Sequence, residues 1–198
     1  MAREFYGFFD SVAGDEREYD AGQFAHVLRA AAQNGVTSHN GGGLAVTAAG
    51  GSMRTVVGDG GCLINGYLYV LSDDGGAVKT FEHPASAANE RVDRIVARLE
   101  LMSDQRRISL KLLTGTPGAS PAPPALTRSA TVYELSLARV RIRAGAESVE
   151  AADITDERAD ESVCGYAVPA RLSDEALDGR YQTTSITGEQ ISAILADG

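Results

Sequence analysis

"RVDRIVARLELMSDQRRISLKLL", residues 91–113, fits two periods at once. Val92, Ile95, Val96, Leu99 and Met102 recur at the spacing of one helix face. Ile95, Ala97, Leu99 and Leu101, followed by Ile108, Leu110 and Leu112, alternate as the inward residues of a β-hairpin do. A helix over 89–103 leaves RISLKLL as a lone strand whose ladder partner must come from elsewhere. A hairpin turning at MSDQRR satisfies the backbone of both segments and sets Arg98, Glu100, Ser109 and Lys111 on a water-facing side. The hairpin is the better reading, and it makes the chain mainly β.

The neighbouring sequence agrees. From Gly43 onward GLAVTAA, MRTVVG, CLINGYLYVL and AVKTFEH are short strand candidates separated by glycine-rich turns, and much of the chain's surplus of glycine, 22 residues, lies between them. Asn65-Gly66, flanked by apolar runs, predicts a two-residue hairpin turn, because both central residues of a type I′ turn need positive φ. The Pro-rich segment 114–130 cannot continue a ladder and reads as a stiff loop crossing from one sheet to the other. In TVYELSLARVRIR, which follows, the apolar residues change sides after Ala138. Either a bulge reverses the facing or the strand leaves the core there. Arg139, Arg141 and Arg143 continue one face as a solvated edge, or as cations turned toward a partner's carboxylates. The acidic run ITDERADESVCGY lacks the alternating ligands of a calcium loop and reads as a solvated turn.

The two ends differ from this β-rich body. Phe5, Tyr6, Phe8 and Phe9 form an aromatic cluster that reads as a strand or hook packed on a core, or as an exposed patch that a partner covers. Asp20 and Gln23 form a capping box ahead of Phe24, Val27, Leu28 and Ala31, so a helix is expected near 21–33, with Gly35 as its left-handed stop. At the other end RLSDEALDGRY suits one or two helical turns. Thr187 and Gln190 cap a short helix with Ile191, Ile194 and Leu195 on one stripe. A helix that short does not hold itself in water, so it must dock. The organisation expected is a β-rich domain with an N-terminal helix over 1–168 and a short helical extension over 169–198.

Composition narrows the function classes. The net charge of −9 disfavours nucleic acid and anionic membranes as partners. Cys62 and Cys164 are too few and too far apart for a disulfide framework or a zinc site, and read as reduced thiols with at least one buried. No run of 18 apolar residues is present, and MAREFYGFFD lacks the apolar segment of a signal peptide. His26, His39 and His83 are too dispersed for a local metal motif. The chain has no nucleophile elbow, phosphate-binding loop or dinucleotide fingerprint. No catalytic residue, metal or cofactor is therefore expected.

YGFFDSVAGDEREYDAGQFAHVLRAAAQNGV, then GLAVTAAGGSMRTVVGDGGCLINGYLYVL, ERVDRIVARLEL, GTPGASPAPPALTR, YELSLARV and ITDERADESVCGY follow one another in the chain. In that succession, over about residues 5–168, the chain resembles the N-terminal structural region of tail and baseplate proteins of siphophages and prophages of Gram-positive bacteria. Upper baseplate and receptor-binding components are the nearest kin. The resemblance implies an antiparallel β-sandwich-like module without catalysis. It implies assembly as a homotrimer around the tail axis, contact with other tail proteins, and a place in the virion after synthesis in the bacterial cytoplasm. Phe5, Phe8, Phe9, Ile191, Ile194 and Leu195 are the apolar residues expected at subunit contacts. The rival reading is a carbohydrate-binding module for host cell-wall polysaccharide, with Tyr67 and Tyr69 as its sugar platform in a chain without Trp.

Overall fold

In a computed structural model, which describes residues 7–37, 43–72, 79–86, 88–102 and 104–168, the alternating period prevails at 91–113 and the chain is mainly β. Helix α1 (Ala21–Ala31) is followed by β1 (Gly35–Val36), β2 (Val46–Ala48), β3 (Arg54–Val57), β4 (Gly60–Ile64), β5 (Tyr67–Leu71) and β6 (Lys79–Glu82). Then come β7 (Arg91–Leu101), β8 (Arg106–Leu113) and β9 (Val132–Ile142), one 3-10 turn (Ala151–Asp153) and β10 (Ile154–Asp156). These strands form three antiparallel sheets, ordered β1-β4-β5, β2-β3-β6 and β10-β9-β7-β8. Val36 and Ile64 from the first, Val57 from the second, and Ile95, Leu99 and Leu135 from the third share one apolar core, a sandwich-like arrangement. Each fully buried Leu or Ile there contributes about 1.5–3 kcal/mol. The expected C-terminal extension, 169–198, lies outside the described residues.

Two hairpins form as their sequences dictate. Leu99 pairs with Ile108, Ala97 with Leu110 and Ile95 with Leu112 across β7 and β8, so one face is continuous hydrocarbon. Asn65 (φ 51°) and Gly66 (φ 81°) turn β4 into β5, with Ile64 opposite Tyr67.

β9 resolves its own ambiguity with a bulge. Ile95 pairs with Ala138 but Val96 with Ser136, which leaves Leu137 as the extra residue and brings Leu135 and Val140 to the same core. The edge reading fails at Arg139, where β10 pairs with β9 over Ala138, Arg139 and Val140, while Arg141 and Arg143 lie past that pairing.

β8 and β9 both run antiparallel to β7, on either side of it, so the Pro-rich segment must travel the length of β7, ~35 Å at strand rise. It does not pass between sheets, as its sequence suggests, but crosses one face of the four-stranded sheet. Arg94 Nη1 donates to Pro124 O (2.7 Å), the Gly118 amide to Glu90 O (3.0 Å) and the Thr127 amide to Glu134 Oε2 (2.6 Å). The polar face of β7 is consequently largely covered, contrary to expectation, with Arg98, Ser109 and Lys111 half-buried. Glu100, Glu134 and Ser136 are buried, and Arg98 pairs with Glu134 (Nε–Oε1 2.6 Å).

α1 begins at the expected capping box, with the Gln23 amide on Asp20 Oδ1 and the Asp20 amide on Gln23 Oε1. It ends at Ala31, and Gly35 is not its stop: the cap is Ala32 in extended conformation. Gly35 is instead held in β1 by close packing, because a Cβ there would lie 2.5 Å from Gly165 O.

Two glycines of the crossover separate docking from chain flexibility. A Cβ on Gly115 would lie 2.1 Å from Val92 O, whereas one on Gly118 meets nothing within 4 Å. Gly115→Ala is expected to cost about 2 kcal/mol or more and Gly118→Ala to be neutral or slightly stabilising, read as shifts in urea midpoint. Equal effects would mean that the crossover does not lie on β7.

Candidate functional site

The three arginines expected at an edge all find carboxylates within the chain. Arg139 pairs with Glu157 (2.8 Å), Arg141 with Glu90, and Arg143 with Asp153 (3.1 Å). Each guanidinium remains about half exposed. Two acidic residues of the 153–161 run, Asp153 and Glu157, are thereby tied down rather than solvated. Asp153 and Glu157 are buried, and Arg158 beside Asp156 holds that carboxyl below the usual carboxylate range. Among the described residues no group of three His, Cys, Asp or Glu side chains converges as a metal site.

The structure also assembles a constellation that the sequence hides. Thr55 on β3, His83 just after β6, and Arg91 and Asp93 on β7 meet between two sheets. Thr55 Oγ1 lies 3.0 Å from His83 Nε2, and His83 Nδ1 lies 2.8 Å from Asp93 Oδ2. Arg91 Nε donates to Asp93 Oδ1 (2.7 Å), Nη1 to Ala85 O (3.3 Å) and Nη2 to Pro84 O, while the Gly115 amide also donates to Asp93 (2.9 Å). Desolvation pushes the Asp93 carboxyl upward, but the hydrogen bonds from His83, Arg91 and Gly115 and the Arg91 charge outweigh it and leave it below the ordinary value.

Hydroxyl, imidazole and carboxylate stand in the order of an acyl-transfer triad. Thr55, His83 and Asp93 are nevertheless 0%, 1% and 0% exposed, so in this conformation the hydroxyl does not meet a substrate. What the arrangement does is carry a charge pair through the core with nearly every polar atom satisfied. One signal for it was in the sequence: Asp93 falls on the same face as Ile95 and Ala97, and an inward carboxylate requires a cation.

Cys62 and Cys164 are both buried and free. Burial pushes both thiols up to about 12, and the neighbouring Cys164 adds to the rise at Cys62.

The surface carries two features. First, α1 turns Phe24 and Val27 outward, with Leu28 half-buried. Gly22 and Ala25 face the β4–β5 turn so closely that a Cβ on Gly66 would lie 2.0 Å from Ala25 O, and only Ala25 of the helix is buried. Asn34 secures the contact, accepting from the Asn65 amide (2.7 Å). Phe24 and Val27 are left 56% and 41% exposed. The N-terminal hook packs on this helix rather than on the core. Phe8 stacks on Tyr19 (4.9 Å) and meets Phe24 edge-on (6.2 Å), and Phe8, Phe9 and Val12 stay exposed. Phe5, Ile191, Ile194 and Leu195 lie outside the described residues.

Second, two adjoining clefts flank Tyr67. One, of about 640 Å³, has Leu99, Leu101 and Ile108 beneath Arg106 and Arg107. The other, of about 490 Å³, is lined by His26, Arg29, Asn65, Arg128 and Tyr133. Tyr67, Gly22 and Leu101 belong to both, whereas Tyr69 lines neither. No helix among the described residues is long and apolar enough to cross a membrane.

No protein-family model matches the chain, and neither a curated protein nor a solved structure does.

Asp93→Asn should cost about 3–5 kcal/mol at neutral pH, because it leaves the Arg91 charge buried without its counter-charge. A carboxyl held below its unfolded value stabilises the fold above that value, ~3.9, and the contribution disappears as pH falls through the folded value. The stability gap between wild type and variant should therefore narrow below pH ~4, which urea denaturation across pH checks. A thiol-exchange reagent at neutral pH should leave Cys62 and Cys164 untouched in the folded chain and titrate both after denaturation.

Proposed function

We propose that the chain is a non-catalytic structural module of a phage or prophage tail or baseplate. It assembles as a homotrimer in the virion and contacts other tail proteins. The observation that supports this reading is the outward apolar face of α1 and the N-terminal hook. A helix that exposes Phe24 and Val27, joined by three more exposed apolar side chains, is a surface that association buries. The succession of sequence segments from the hook to ITDERADESVCGY supports it independently. The sealed Thr55–His83–Asp93 trio is consistent with a module built for assembly rather than turnover.

Sedimentation velocity on the full chain tests the proposal. The wild type should sediment at three chain masses, and Phe24→Asp with Val27→Glu should give monomers with unchanged circular dichroism, since exposed substitutions cost the fold only ~0.5 kcal/mol. A wild-type monomer at high micromolar concentration, or an oligomer indifferent to the double substitution, would remove the helix face from assembly.

A further inference from the structure

We propose that the two clefts flanking Tyr67 are adjoining subsites for an anionic oligosaccharide, one that carries a carboxylate or phosphate group on successive sugars. This goes beyond the assembly reading and does not depend on it.

The argument starts from charge. Acidic residues outnumber basic ones, and every described arginine except Arg29, Arg106 and Arg128 is ion-paired with a carboxylate. Those three line the same pair of clefts, Arg106 in one and Arg29 with Arg128 in the other. Arg128 is held in place by a bond from Nη1 to Ser162 O (2.9 Å) and by its position over the Tyr133 ring (5.3 Å), which leaves the rest of its fork available. Among the described residues Asp20 is the only carboxylate on either lining, and its Oδ1 already accepts from the helix amide of Gln23.

Planar guanidinium groups without counter-ions suit carboxylate or phosphate oxygens. The surroundings select the body that carries those oxygens. Tyr67 and Tyr133, half-buried against the core, line the second cleft with phenol groups, and Asn65 and Ser129 add polar groups, a set suited to the hydroxyls of a sugar ring. Because Tyr67 is shared, a ligand passing over it places one anionic group in each cleft. A repeating acidic saccharide carries an anionic group and a hydroxylated ring in every unit, which supplies one of each to both clefts.

Titration calorimetry on the full chain at low ionic strength tests the site with tetragalacturonate and glucose 1-phosphate as acidic probes, maltotetraose as the neutral one, and tetraglutamate as a polyanion without sugar rings. Saturable binding of an acidic saccharide, weakened about tenfold by Arg106→Ala and by Tyr67→Ala but not by Arg54→Ala, is the expected result. Arg29→Ala serves as the second cleft's variant, since Arg128 also holds Ser162 in place. No saturation with either acidic saccharide, equal binding by the variants, or equal binding of tetraglutamate would overturn the proposal. The sedimentation behaviour of the same variants should match wild type, so failure here is distinguishable from failure of the assembly reading.

Discussion

A central strand with a charged face largely covered from water must find a counter-charge for the ionised groups on it, and β7 is such a strand. Arg94 lies against Glu157 (3.3 Å), Arg98 against Glu134, and Glu100 against Arg107 and Lys111. The covering layer depends on those pairs, since the Thr127 amide rests on Glu134 and the Pro124 carbonyl on Arg94. Removing one partner leaves the other charged and dry, which costs more than the pair itself contributes. The Pro-rich crossover, the 153–163 turn and the bulged β9 therefore stand or fall together. The fit is not ideal: Arg94 Nε and Arg139 Nε contact Glu157 without aligned hydrogen bonds.

This constraint explains what the sequence revealed and what it concealed. The hairpins at 65–66 and 91–113 were legible because period-two alternation and turn chemistry are local. The polar side of β7 was misread because alternation reports which residues share a face, not what lies against it. Water and a proline-rich layer both accept arginine and glutamate, and only the connectivity of β8 to β9 decides between them. Thr55, His83 and Asp93 lie up to 38 positions apart and meet through sheet packing, so no local motif marked them.

Helix α1 shows the same limit from the other side. The periodicity of Phe24, Val27 and Leu28 specified a helix, and the helix formed. Which stripe turned inward was set by the β4–β5 turn, whose backbone comes so near Ala25 O that only glycine fits at position 66. Close approach of two backbones requires small residues between them, and Gly22 and Ala25 supply them. Phe24 and Val27 consequently point outward, and Leu28 is half-buried. An amphipathic pattern identifies two faces, but it does not say that the greasier one meets the chain's own core.

The clefts beside Tyr67 follow from that same choice. With the helix standing on Gly22 and Ala25, its N-terminal turn and the β5 edge are propped apart over Leu99, Leu101 and Ile108, and grooves open where a large side chain would have filled the gap. In a chain with a carboxylate surplus an arginine usually has a counter-ion within reach, although at the surface such a pair contributes little. That Arg29, Arg106 and Arg128 all flank these grooves, while arginines elsewhere in the described chain are ion-paired, separates the grooves from ordinary surface relief. Geometry made the space, and the charge left around it limits what can occupy it.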